Sequence, residues 1–166
     1  MIIRLTQKLA AKLGESPTNA LPRDPDIFSD WTGHLFTANR TQYVILVNST
    51  TLYTVLMYGR GITDCGIFID RLLSTLRDYM TDDDLPFLFH RFIVPRSATV
   101  SFSKTGDRSL LGSINDHVAI AKSYLIEMDE SPFTVAGNLN STPMKYLHYR
   151  TAREELLNRS VGTLES

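Results

Sequence analysis

The hydrophobic and polar positions alternate between short strand-like and helix-like periods along the chain. Ile2-Ile3-Arg4-Leu5 reads as a strand, and Thr6 stands where a helix over Gln7 to Leu13 would take its N-cap. Leu5, Leu9 and Leu13 fall four apart on one face, Lys12 lies in the last turn, and Gly14 occupies the C-terminal cap position. Between Glu15 and Asp30 the pattern lapses into turn chemistry around Pro17, Pro22 and Pro25. Tyr43 to Val47 and Leu52 to Tyr58 then form the clearest pair of strands, joined by the polar loop Asn48-Ser49-Thr50-Thr51. The first of these is almost wholly apolar, which predicts a central strand covered on both faces.

A helix is predicted from Thr63 to Met80, with Ile69, Leu72, Leu73, Leu76, Tyr79 and Met80 at helical spacing. Asp82-Asp83-Asp84 lacks the spaced ligands and glycine of a calcium loop and reads as a solvated turn. Phe87 to Val94 suits either a short helix or a strand. Ala98 to Ser103 alternates as a half-buried strand, followed by a turn over Lys104 to Arg108. A second long helix is predicted from near Ser109 or Ser113 to Met128. Asp129 to Thr142 reads as irregular, Arg150 to Asn158 as helical, and Gly162 to Ser166 as a fraying end. These elements predict an α+β fold: a mostly antiparallel sheet of about four strands with the Thr63–Met80 and Ser113–Met128 helices packed on it.

Composition narrows the picture without redirecting it. The 166 residues are 43% hydrophobic and 21% charged, which suits a single globular domain over residues 1–166. A net charge of −1 argues against broad phosphate neutralisation, so nucleic acid is an unfavoured partner; a stripe of Arg91, Arg96, Lys104 and Arg108 is the one local exception. Cys65 is the only cysteine, so no internal disulfide forms, and a reducing, cytoplasmic setting is expected. No segment resembles a signal peptide or a membrane span. The Asn-x-Ser/Thr sites carry no meaning in that compartment.

Candidate chemistry lies in three places. Asp30-Trp31-Thr32-Gly33-His34 gathers a carboxylate, the only indole and an imidazole; Asp30 and His34 could act as acid and base, or Trp31 could stack on a flat ligand. The structural alternative is that Trp31 anchors the loop to the core and His34 satisfies a nearby carbonyl. Asn39-Arg40 precedes the central strand, where Arg40 could grip a carboxylate or phosphate with its forked donors, or pair with a local Asp. The stretch Asp107 to His117 brings Arg108, Ser109, Ser113, Asn115, Asp116 and His117 around an expected helix start, where an anion is favoured. Ser113 and Asp116 there have the spacing of a capping box. Cys65, near a helix start, could have a lowered pKa. No motif names a metal or cofactor, and none is expected.

The chain resembles an uncharacterised bacterial family of short stand-alone proteins, a domain of unknown function. The resemblance is carried by Ile3-Arg4-Leu5-Thr6-Gln7-Lys8, Asp30-Trp31, Leu35-Phe36 to Arg40, Asn48 with Leu52-Tyr53, Asn140 and Pro143-Met144. Its most specific piece is the Arg-Ser-x-x-Gly-Ser-x-Asn-Asp motif from Arg108 to Asp116. It implies an accessory or regulatory role in mobile-element settings and brings no catalytic residues. Two functions are therefore carried forward. One is a non-catalytic binding or interaction module for a protein partner or small anionic ligand. The other is a small enzyme acting on a phosphate- or carboxylate-bearing substrate, with Arg40 and Arg108 binding the anion and His34 or His117 moving a proton. A free hairpin edge would permit a homodimer.

Overall fold

The computed structural model describes residues 1–166 and holds one five-stranded sheet in the order β4-β3-β2-β1-β5. Its strands are β1 (Ile2–Leu5), β2 (Asp30–Ala38), β3 (Thr41–Asn48), β4 (Thr54–Tyr58) and β5 (Ser101–Lys104). The sheet is mixed, not mostly antiparallel: β1 runs parallel to both β2 and β5, while β2, β3 and β4 form an antiparallel meander. The extra strand is β2. Its alternation of Asp30, Thr32 and His34 with Trp31, Gly33 and Leu35 was masked by the polar residues, which make up a buried polar face.

Parallel neighbours cannot be joined by a tight turn. The connection from β1 to β2 is therefore the helix α1 (Gln7–Leu13) followed by the proline-rich segment. Gly14 ends α1 in the left-handed region at φ 69°. Thr6 takes the N-cap position, but its hydroxyl meets His34 Nδ1 at 2.9 Å instead of capping α1. α1 lies hard against β2: a Cβ on Gly33 would come within 2.7 Å of Leu9 Cδ2 and 3.2 Å of Leu46 Cδ1, so any larger residue would force these core side chains to shift.

The chain crosses from β4 to the far edge of the sheet through α2 (Cys65–Asp82) and a helical segment made of α3 (Pro86–Leu88), a π turn (Phe89–Ile93) and α4 (Val94–Arg96). Phe87 to Val94 is thus helical. α5 (Arg108–Glu127) covers the polar face of the sheet, and α6 (Pro132–Asn140) packs on the edge strand β4. The presence of α6 corrects the irregular reading of Asp129 to Thr142; Ser131 caps it and Pro132 opens it. α7 (Ala152–Glu165) starts in a Thr151–Glu154 capping box and runs helical past Gly162 to Glu165.

The core is one continuous apolar cluster, and β3 is buried from Tyr43 to Asn48, as its apolar run predicts. The aspartate triplet is more than a solvated turn. Asp83 accepts a 2.6 Å hydrogen bond from the Tyr53 hydroxyl and faces Arg153 of α7, tying three elements together. The outer edge of β4 is not free. Asn140 accepts from the Thr54 N–H and donates to the Thr54 carbonyl, both at 2.8 Å, as a neighbouring strand would. The Tyr79 hydroxyl and Arg71 take the carbonyls of Leu56 and Tyr58. No helix is long and apolar enough to cross a membrane.

Candidate functional site

A charged residue inside an otherwise apolar strand needs a partner. In β1 that residue is Arg4, only 6% exposed, and its partner is the fully buried Asp30 at the start of β2. Arg4 Nε and Nη2 grip the two carboxylate oxygens at 2.9 and 2.8 Å. The remaining donors reach the carbonyls of Leu21 and Pro22 at 2.6 and 2.9 Å, and Ser103 Oγ at 3.5 Å. All five guanidinium N–H groups are engaged. Burial on its own would raise the Asp30 pKa, but the bonds from Arg4 and the Asp24 amide outweigh it and hold the carboxyl below its ordinary value.

Register explains the placement. Thr32, Arg4 and Ser103 are paired neighbours on β2, β1 and β5 and form a polar row on the face beneath α5. The proline-rich segment is strapped across this row: Leu21 N–H donates to Ser103 Oγ, and Arg23 reaches Ser49 O at 2.6 Å and Asp107 Oδ2 at 2.9 Å. Beneath the strap lies a cavity of about 290 Å3, near the lower bound for small-molecule sites. It is lined by Arg4 and Thr32 of the sheet, Leu21 and Arg23 of the strap, and Thr105, Gly106, Asp107, Leu110 and Leu111 around the start of α5.

The N-cap of α5 is Asp107, whose carboxylate accepts from Leu110 N–H at 3.0 Å. This corrects the Ser113–Asp116 capping box: Ser113 lies inside the helix and its hydroxyl donates back to Ser109 O. Consequently the 108–117 stretch does not converge on one point but wraps around α5. Arg108, Ser109, Asn115 and Asp116 are exposed, Ser113 is half-buried, and His117 is fully buried on the sheet side. Burial pulls the His117 pKa down to about 4. The Thr54 hydroxyl donates to Leu52 O, so His117 Nδ1 is left to donate to Thr54 Oγ1 at 3.3 Å, and Nε2 has no protein partner.

The other candidates lie elsewhere. Trp31 is fully buried on the α1 side and donates from Nε1 to Phe28 O at 3.0 Å. His34 is half-buried against Thr6; burial, then the nearby charges of Lys8 and Lys122, lower its pKa. Asn39 and Arg40 form the exposed β2–β3 turn, at the opposite end of the nine-residue strand β2 from Asp30. Cys65 is not activated: burial and the carboxylate of Glu15, 2.9 Å away, push its pKa up to about 12. In the expected basic stripe, Arg96 is paired with Asp26 and lies over Phe28 and Phe92. No group of three or more His, Cys, Asp or Glu is placed to hold a metal ion.

The cavity also draws on Arg23 and Thr105, which no sequence motif singles out, and on Arg4 and Thr32, which lie within the segments Ile3–Lys8 and Asp30–His34 without being marked there as binding residues. Only Arg4 carried a signal, as a charge inside a strand. With the geometry in place, comparison with known proteins adds one match, to the family described as a domain of unknown function (DUF6933), over residues 2–155. The chain belongs to this family. No curated protein and no solved structure matches it. The family match takes in the whole cavity and stops near the start of α7, so the arrangement around Arg4 lies within the family's domain.

Proposed function

We propose that the protein is a non-catalytic binding module that holds a small carboxylate- or phosphate-bearing ligand in the cavity beneath the strap. The observation that carries this reading is which groups at the cavity remain unpaired. Arg4 and Asp30 are saturated, and Asp107 is committed to Arg23 and to its own helix. Among the lining residues, Arg23 Nε and the Thr105 hydroxyl have no protein partner, and just beyond the lining the first-turn N–H groups of Arg108 and Ser109 are also unbonded. The open groups of the wall are thus mostly donors beside the start of a 20-residue helix, a setting that favours an acceptor-rich ligand.

The enzyme reading has less support. His117 is sealed off with a pKa drawn down to about 4, and His34 is tied to Thr6 and shifted downward. Neither histidine lines the cavity. Treating residues 1–166 as a single domain is supported by the one unbroken core. The cytoplasmic setting rests on the lone Cys65, and the bacterial, accessory role near mobile elements on the resemblance alone.

Native mass spectrometry of protein purified gently from its own host tests the ligand. The expected result is a retained small mass that disappears on denaturation and is missing from Arg23→Gln. A bare subunit in the wild type, or the same mass retained by Arg23→Gln, would overturn the reading.

A further inference from the structure

We propose a second binding site, distinct from the cavity, in which Arg40 and Arg60 together hold a dianionic phosphate group at the tip of the β2–β3 hairpin. Both arginines line one surface concavity of about 660 Å3, whose other walls are Thr41, Gln42 and Tyr58. None of these five residues is acidic. Neither guanidinium donates to any protein group, whereas Arg4 is paired with Asp30 and Arg71 is spent on the carbonyls of Tyr58 and Arg60. Lys12 adds a further positive charge at the rim through its 3.0 Å bond to Gln42 Oε1.

The backbone is arranged to present the pair. The β2–β3 turn consists of Asn39 and Arg40, both left-handed, at φ 48° and 64°. A turn of this kind favours asparagine first and glycine second. The second position holds arginine instead, a strained choice that hairpin formation does not require. Across from it, Gly59 N–H donates to Gln42 O at 2.8 Å and carries the pairing one step past Tyr43 and Tyr58. A Cβ on Gly59 would lie 3.1 Å from Gln42 Cβ and 3.3 Å from its backbone, so glycine permits the close approach that brings Arg60 opposite the start of β3. Arg71 then fixes the Tyr58–Arg60 backbone from the α2 side.

Two unpaired, forked guanidinium groups on one concavity match the several acceptor oxygens of a phosphate better than a single carboxylate. The ring of Tyr58, 52% exposed and 5.4 Å from Tyr43, stands beside them as a stacking surface for an aromatic carrier of that phosphate.

The test titrates inorganic phosphate and phenyl phosphate, at matched ionic strength, into protein observed through its arginine Nε–H NMR signals. Saturable shifts at Arg40 and Arg60 are expected, weakening as salt is raised. Arg40→Gly and Arg60→Gln should each lower the affinity about tenfold, while the exposed Arg91→Gln leaves it unchanged. Tighter binding of phenyl phosphate than of inorganic phosphate, lost in Tyr58→Leu, identifies an aromatic carrier; equal binding identifies the bare group. Both results uphold the site. Absence of saturation by either probe, or wild-type affinity in both arginine variants, would overturn it.

Discussion

Arg4 and Arg40 carry the same charge in opposite circumstances. Arg4 is buried, with every donor matched to Asp30, Ser103 or a strap carbonyl, and has nothing left to offer a ligand. Arg40 is exposed, in a left-handed turn, and bonds to nothing in the protein. Burying an arginine is tolerable only when its hydrogen bonds are complete, so saturation marks a residue that holds the fold together. A free guanidinium on a strained turn is not needed by the fold. The contrast separates the residues that position the cavity from those offered to another molecule.

Breaking the saturated side should have the largest effect. Asp30→Ala leaves the Arg4 charge buried and unpaired, and is expected to lower stability by about 3–5 kcal/mol in urea unfolding. The strap should loosen as well, seen as faster amide exchange at Leu21 and Lys104, whose N–H groups bond Ser103 Oγ and Asn19 O. A loss under about 1 kcal/mol would mean that the pair does not clasp the strap to the sheet. Because the folded pKa of Asp30 is depressed, its contribution is present above the ordinary carboxylate range and disappears as pH falls through the lowered value.

His117 lies between the two extremes, with one ring nitrogen bonded and the other not. Its folded pKa of about 4 lies below the ordinary 6.5, so the unfolded chain takes up the proton first. Stability is therefore full above 6.5 and falls, by about 3 kcal/mol, as pH drops from there to 4. His117→Leu should flatten that part of the pH profile of the urea midpoint. An unchanged slope would place the acid sensitivity elsewhere.

The Asn140 carboxamide is the saturated partner of a strand edge. Asn140→Ala strips both groups of Thr54 of their bonds and should cost about 1–3 kcal/mol. It would also bare part of β4, so sedimentation should show more concentration-dependent self-association than the wild type does. Equal association in both proteins would show that this edge is not what Asn140 guards.

The same distinction explains what could be read in the sequence. The apolar run Tyr43–Val47 and the periodicity of α2 and α5 depend on burial along one element, and they were legible. So was the cap at Gly14, a local matter of left-handed backbone. The Arg4–Asp30 pair was not, because its members are far apart in the chain and only the parallel β1–β2 register joins them. α6 was hidden by its weak helix formers, Pro132, Gly137, Asn138 and Asn140, although Ser131-Pro132 is a start signal that could have revealed it. The capping box expected at Ser113 gave way to Asp107 because α5 begins well before it. As for the sites, Arg40 was visible as a polar residue at a strand end, but Arg60 became its partner only through the β3–β4 pairing. Arg23 gave no signal at all, since its role depends on the path of the strap.

Arg40→Gly should produce the smallest change in stability and the sharpest test of the contrast. Glycine meets the left-handed requirement that arginine meets only under strain, so the variant is expected to be more stable by about 1 kcal/mol in urea unfolding. Phosphate binding at the hairpin tip should weaken in the same protein. The two measurements move in opposite directions only if the arginine is kept for a ligand at some cost to the turn. Were Arg40 a structural residue like Arg4, its removal would lower stability, because bonds it makes within the fold would be lost.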